Sequence, residues 1–284
     1  MLLVTGASGT VGSAVLAEVI RAGVPHRALF RSEQDAAKAP AGTEVAIADF
    51  ADPLSLKRAF AGIDSLFLVC SPIPQLVELE SNVIEAAGDR RRIVLNSALG
   101  AGDYPKSFPS WHRRVEDRLR AAGNPYCILR PNSFMQNVLA FYAPSIRAEG
   151  AFYSALGEAK ICYVDVRDIA AVAVQALRGL HDGETYELHG PEGLSCAEVA
   201  AKIEKNAGIP ARYVDIPEEA QRQAMLAQGM PEWQVTALLE LQEYYTGGKG
   251  GEPDGTLERL LGRAPRALDA LLQEHAAEFR RAKG

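Results

Sequence analysis

The chain opens Met1-Leu2-Leu3-Val4-Thr5-Gly6-Ala7-Ser8-Gly9-Thr10-Val11-Gly12, a short apolar run that passes without a break into three glycines at three-residue spacing. From Val11 a helical pattern begins, with Val15, Leu16, Val19 and Ile20 recurring three and four residues apart until Gly23. Strand, glycine turn and helix in that order form the context a dinucleotide fingerprint requires. Gly6 lets the chain turn sharply off the strand, Gly9 lets backbone N–H groups come close to a pyrophosphate, and Gly12 lets the helix pack tightly on the strand. Ser8, Thr10 and Val11 complete the seat, where the positive end of the helix faces the phosphates.

Outward from this turn, strands and helices alternate. Apolar runs at Arg27–Phe30, Glu44–Ala48, Ser65–Cys70, Arg92–Asn96 and Tyr126–Leu129 predict five further strands. Helical patterns fall between them, from Pro53 through Phe60, from Pro74 to Ala87 and from Pro109 to Ala122. Repeated strand–helix–strand units with short connections imply an α/β fold with a parallel sheet covered on both faces, whose ligands bind at the carboxyl ends of the strands. Beyond about residue 150 the pattern changes. Short strands are predicted at Cys162–Val164, Glu184–Leu188 and Arg212–Val214, with helices from Val166 to Leu177 and Cys196 to Ala207. The last 65 residues are nearly all helical in pattern, interrupted by Gly247-Gly248-Lys249-Gly250-Gly251, which reads as a mobile loop able to serve as a lid.

Composition narrows the function classes. Of 284 residues, 48% are apolar and 23% charged, ordinary values for a globular protein with a full core, and the net charge is −6. Arg90-Arg91-Arg92 is the one basic run and precedes a strand, so direct nucleic-acid contact is not expected. Cys70, Cys127, Cys162 and Cys196 are scattered and show no metal-ligand spacing, which points to buried free thiols and no metal. No apolar run reaches membrane-spanning length and no signal-peptide layout precedes the first strand, so a cytoplasmic protein without membrane contact is expected.

The strand ends supply the candidate site. Arg31 stands nineteen residues after Gly12, where the fingerprint for NAD places a carboxylate on the ribose 2′-hydroxyl. A guanidinium there, with Ser32 beside it, suits a 2′-phosphate through charge-assisted bonds and favours NADP(H). Asp49 and Phe50 end the third strand, where an adenine would lie, although a plain turn accounts for them as well. Ser71-Pro72 ends the fourth strand beneath the middle of the cofactor, and Ser97 follows the fifth at the level of the nicotinamide. Tyr104, Tyr126, Tyr142, Tyr153, Tyr163 and Tyr186 are followed at the fourth position by Phe108, Arg130, Ile146, Gly157, Arg167 and Gly190. None of these forms a Tyr-x-x-x-Lys pair, so the general acid common in short-chain dehydrogenases is not expected. In its place Trp111-His112-Arg113-Arg114-Val115-Glu116 puts an imidazole and a carboxylate on one helix face. His112 either transfers a proton or binds the nicotinamide ribose or substrate; the other reading is that it caps or packs the helix start.

Gly6-x-x-Gly9-x-x-Gly12 is spaced as in the short-chain dehydrogenase/reductase superfamily. With Arg31, Asp49-Phe50, His112…Glu116 and Leu129-Arg130-Pro131-Asn132-Ser133-Phe134-Met135-Gln136-Asn137, the chain resembles the NmrA-like family of atypical members. The likeness extends to Asp165-Val166-Arg167-Asp168-Ile169-Ala170 and Gly229-Met230-Pro231-Glu232-Trp233. It implies a Rossmann-type, doubly wound parallel sheet over residues 1–150, to which later elements return. A smaller, mostly helical part over 151–284 would then cover the substrate. It further implies that Pro131, Asn132 and Ser133 line the nicotinamide, and that Phe134 and Met135 form an apolar substrate wall. Asn132 either holds the carboxamide, shapes the pocket or caps the next helix.

Two functions follow as expectations. One is an NADPH-dependent oxidoreductase passing hydride to a quinone-like or conjugated aromatic small molecule, as monomer or homodimer. The other is an NADP(H)-sensing regulator that binds a protein partner.

Overall fold

The computed structural model describes residues 1–280. The first half alternates: β1 (Leu2–Val4), α1 (Thr10–Arg21), β2 (His26–Phe30), α2 (Glu33–Ala36), β3 (Glu44–Ile47) and α3 (Pro53–Ala59). It continues with β4 (Ser65–Leu68), α4 (Leu76–Ala87), β5 (Arg92–Asn96), α5 (Ser107–Ala121) and β6 (Tyr126–Pro131). A π-helix at Val138–Tyr142, α6 (Ala143–Glu149) and β7 (Ala151–Ser154) follow. Next come α7 (Val166–Leu177), β8 (Thr185–Leu188), α8 (Cys196–Ala207) and β9 (Arg212–Asp215). The remaining helices are α9 (Glu218–Ala227), α10 (Glu232–Thr246), α11 (Thr256–Leu261) and α12 (Leu268–Glu274).

The local signals explain most of these elements. Asp52 caps α3 by accepting from the Leu54 N–H, and Pro53 occupies the first turn, where its missing N–H is no loss. Strand β4 is buried at all four positions, as expected for a strand covered on both faces. Helix α4 buries Leu76, Val83, Ile84 and Ala87 against a cluster that includes Leu56, Phe60, Leu66, Leu68, Leu95 and Leu119. Ser195 and Glu198 close a capping box at the start of α8.

The main sheet has seven strands in the order β3-β2-β1-β4-β5-β6-β8. Strand β1 pairs in parallel with both β2 and β4, and the pairs β2–β3, β4–β5 and β5–β6 are parallel too. This is the doubly wound Rossmann order, whose ligand crevice opens at the carboxyl ends where the order reverses, between β1 and β4.

The chain divides into two compact units. The first comprises Met1–Pro131 and Val166–Glu187, the second Asn132–Asp165 and Leu188–Gly284. The sequence placed the change of pattern near residue 150; the chain leaves the first unit at Pro131 and returns for α7, which packs along α1. In the second unit β7 and β9 form a parallel pair, and Tyr142 stacks on Phe152 with ring centroids 4.1 Å apart.

Three expectations are corrected here. Cys162–Val164 is not a strand: Ile161 and Val164 make only isolated bridges, to Leu194 and Phe134. Strand β7 was not expected, because four residues behind Gly150 show no usable periodicity. The Gly247–Gly251 segment is pinned: the Gly250 carbonyl accepts from the Cys162 N–H at 2.9 Å and from Asn132 Nδ2 at 2.8 Å. Among the described residues no helix is long and apolar enough to cross a membrane, and no group of His, Cys, Asp and Glu has a metal-binding arrangement.

Candidate active site

The glycine turn builds a seat at the end of β1. Gly6 takes a left-handed φ of +58°, and a Cβ there would lie 2.7 Å from Val69 Cγ1. A Cβ on Gly12 would lie 2.1 Å from the Gly6 carbonyl oxygen, so only glycine allows α1 to start this close to β1. The Gly9 N–H closes the turn on the Gly6 carbonyl at 2.8 Å. Helix α1 has no side-chain cap and no acidic residue in its first turn, so the N–H groups of Thr10, Val11 and Gly12 are those a helix start leaves over for an anion. Ser8, Gly9 and Thr10 are exposed, while Val11 and Gly12 are buried in the packing beneath. Thr5 was overlooked by sequence reasoning. Its hydroxyl donates to Phe67 O at 2.9 Å and accepts from the Val69 N–H at 3.0 Å, pinning the end of β1 to β4 at the switch point.

At the end of β2, Arg31 is exposed, and its charge is felt by Asp35 and Cys70. Ser32 caps α2, accepting from the Asp35 N–H at 3.1 Å and donating to its carboxylate at 2.9 Å. Asp49 is exposed and accepts from the Ala51 N–H in a tight turn, and the half-buried Phe50 leans on the core cluster. Ser71 and Pro72 lie exposed beyond β4. These residues fit NADP(H): an uncapped helix start for the pyrophosphate, side-chain-free approach at the glycines, and a cation beyond β2 with no acid in its place.

The ends of β5 and β6 carry a buried charged cluster. Ser97 donates to Glu116 Oε1 at 2.6 Å, and Arg130 grips the same carboxylate with Nε at 2.8 Å and Nη2 at 2.7 Å. Arg120 Nη2 adds a third cationic contact at 2.9 Å. Burial alone would raise the Glu116 carboxyl, but Arg130, Ser97 and Arg120 hold it below the usual range, so it is a carboxylate. One helical turn earlier, His112 is buried and its Nδ1 has no partner. Burial pushes its pKa down to about 4 against the opposing pull of Glu116, so the imidazole is neutral at physiological pH. Ser97, expected at the nicotinamide level, is itself buried with its proton committed to Glu116. Glu116 and Arg130 were visible as residues, but their pairing across 14 positions had no sequence signal.

A second unexplained acid lies on α4. Glu80 is fully buried, and neither carboxyl oxygen has a hydrogen-bond partner. Burial raises its pKa to about 8, opposed only by the backbone N–H of Cys70 beyond β4, which lies near the carboxyl without completing a hydrogen bond, so it is largely a neutral acid at pH 7.

The remaining expected residues divide at the unit boundary. Pro131 ends β6 in the first unit, its carbonyl accepting from the Leu99 N–H at 3.0 Å. Asn132 belongs to the second unit, and its amide is fully used there. Nδ2 donates to Gly250 O and contacts His189 Nδ1 at 3.2 Å, while Oδ1 accepts from the Ser133 N–H at 2.7 Å and from Tyr245 Oη at 3.1 Å. It therefore ties the glycine-rich segment in place. Ser133 accepts from Asn137 Nδ2, Phe134 is half-buried, and Met135 is 1% exposed in the interior of the second unit.

One Tyr-x-x-x-Lys spacing does exist, at Tyr245 and Lys249, contrary to the expectation that the pair is absent. It does not form the helix-borne pair of the common enzymes. Helix α10 ends at Thr246, Tyr245 is buried with its hydroxyl given to Asn132, and Lys249 Nζ sits over the Tyr244 ring at 5.5 Å.

Comparison with known proteins agrees with this geometry. The model of the NmrA-like family matches residues 1–280. An NAD(P)H azoreductase from Xenophilus azovorans is 37% identical over 98% of this chain and 99% of its own. A (4-alkanoyl-5-oxo-2,5-dihydrofuran-3-yl)methyl phosphate reductase from Streptomyces griseus is 34% identical over 98% and 99% of the two chains. Among solved structures, an NADPH-dependent quinone oxidoreductase from Escherichia coli, in complex with NADPH, superposes with a TM-score of 0.87. It is 28% identical and covers 96% of this chain and 99% of its own.

Proposed function

The chain belongs to the NmrA-like family, and from that premise we propose that it passes hydride to an electron-poor conjugated acceptor of the quinone or azo type. It is an NAD(P)H-dependent oxidoreductase with NADP(H) as cofactor. The nicotinamide, when bound, supplies the hydride. The protein's part is to hold it. Thr10 to Gly12 would present N–H groups to the pyrophosphate, Arg31 the 2′-phosphate, and the β5 and β6 ends the nicotinamide half.

The observation that carries the acceptor class is the state of Ser97 and His112. Ser97 donates its hydroxyl hydrogen bond to Glu116, and His112 is neutral, so neither is a strong acid for an alkoxide forming from a simple ketone. A quinone or an azo bond needs less help, because the incoming charge spreads into its own π-system. The azoreductase and quinone oxidoreductase among the relatives support the same class. The sensing-regulator alternative gains no support from them.

Steady-state oxidation of NADPH against a panel of quinones, azo dyes and aliphatic ketones tests this reading. Turnover is expected with the conjugated acceptors alone, with a rate flat between about pH 5.5 and 8 because His112 titrates well below that window. Tight NADP(H) binding without turnover on any acceptor, or preference for the ketones, would sink it.

A further inference from the structure

We propose that Glu116 is the positioning residue of the nicotinamide half of the seat, acting through Ser97, Arg130 and the register of α5. The proposal rests on reading the β5 and β6 ends as that half.

The carboxylate is buried, and it ties the middle of α5 to the carboxyl, ligand-facing ends of β5 and β6. Ser97 follows the last residue of β5, Arg130 precedes the last residue of β6, and Glu116 and Arg120 lie on α5. The turn beyond β5 rests on the same cluster. A Cβ on Gly102 would lie 2.7 Å from Arg130 Nη1, and Arg113 Nη1 donates to the Gly102 carbonyl at 3.2 Å. The Leu99 N–H joins that turn to Pro131. On α5, four residues separate Glu116 from His112, so anchoring one fixes where the other stands. At the adenosine end, Asp49 bonds only to its own turn and Ser55 among the described residues, away from the cluster. In the sheet order, β5 and β6 lie on one side of the β1–β4 switch point, and β2 and β3 on the other.

The cluster also sets the state of the serine at the end of β5. A carboxylate held by two guanidinium groups accepts the hydroxyl hydrogen bond, leaving Ser97 as a tie between strand and helix. Loss of the Glu116 charge would leave Arg130 without its forked partner and loosen β5, β6 and α5 together.

Two ligands separate this role from general scaffolding: NADPH, and adenosine 2′,5′-bisphosphate, which lacks the nicotinamide half. Their dissociation constants would be measured by titration on the wild type and on Glu116→Gln, with no turnover required. Glu116→Gln is expected to weaken NADPH about tenfold while the bisphosphate stays within about twofold, as for loss of a charge-assisted bond at one end of the site. Arg130→Lys, which keeps the charge but not the fork, should weaken NADPH less and again spare the bisphosphate. Should Glu116→Gln not fold, Ser97→Ala removes a single hydroxyl and is expected to show the same asymmetry on a smaller scale. Parallel losses for both ligands, or no loss for either, overturn the positioning role. A wild type that binds neither ligand overturns the reading of the seat itself.

Discussion

Two glycine-rich segments in this chain resemble each other in sequence and do opposite things. Residues 6–12 and 247–251 each hold several glycines, and each contains glycines at positive φ, Gly6 in the first and Gly248 and Gly250 in the second. In the first, the space freed by missing side chains lets α1 start against β1 with its N–H groups outward. In the second, the space is filled by the protein. A Cβ on Gly193 would lie 1.9 Å from the Gly251 carbonyl oxygen, and one on Gly251 would lie 3.0 Å from Lys160 O. The Gly250 carbonyl meanwhile takes two hydrogen bonds. One segment is a seat and the other a knot. Glycine content does not distinguish them; what a β-carbon would meet does.

The contrast breaks most sharply under paired alanines. Gly12→Ala should remove measurable NADPH binding, a loss of more than about a hundredfold, because the helix start must back away from the strand. Gly193→Ala should lower the thermal midpoint by roughly 5–10 °C through overpacking, yet leave NADPH affinity intact in the folded protein. Calorimetry and titration on the two variants check this. If Gly193→Ala abolishes cofactor binding while stability holds, the knot is part of the seat and the distinction fails.

Next in size is Arg31→Ala, expected to weaken NADPH by about tenfold to a hundredfold and NADH hardly at all, as for loss of a charge-assisted contact to the 2′-phosphate. Equal weakening of both cofactors would remove Arg31 from phosphate recognition.

The smallest effect is a pH signature of the first unit. Glu80 has a folded pKa raised by burial to about 8, above its unfolded value, so the folded state holds a proton that the unfolded state has released. Stability from this group is complete below its unfolded pKa and falls as pH climbs through about 8. Wild-type thermal midpoints should therefore drop between about pH 6 and 9 by roughly 5 °C more than those of Glu80→Gln. Parallel curves for the two proteins would show that Glu80 does not titrate in this way.

The fold was legible where local and periodic signals agreed. Pro53 marked the start of α3, the run Arg92–Asn96 is β5 to the residue, and Val166–Leu177 is α7 to the residue. It was illegible where pairing is remote. Cys162–Val164 has the composition of a strand, but its partners are single residues, so no ladder forms. The site divides in the same way. Gly6 to Gly12 and Arg31 are local to one strand–turn–helix unit and were visible. Asn132 reads as a polar strand-end residue, and only Gly250 and Tyr245, 118 and 113 positions away, show that its amide is spent on the knot. His112 was visible, but its neutrality depends on a burial that no spacing reveals.

The crossings of the chain between the two units also bear on how the protein is made and how it could be recombined. Helix α7 covers α1, and the Ser65 hydroxyl donates to the Leu177 carbonyl at 2.9 Å, so residues synthesised late complete the part that begins with the first strand. A nascent chain of 150 residues holds every glycine of the turn after β1 but not the helix that covers α1, so the first unit is complete only once α7 has been made. Exchange of the second unit between relatives would likewise need three joins, after Pro131, after Asp165 and after Glu187. A single crossover near the middle of the gene would cut through both units.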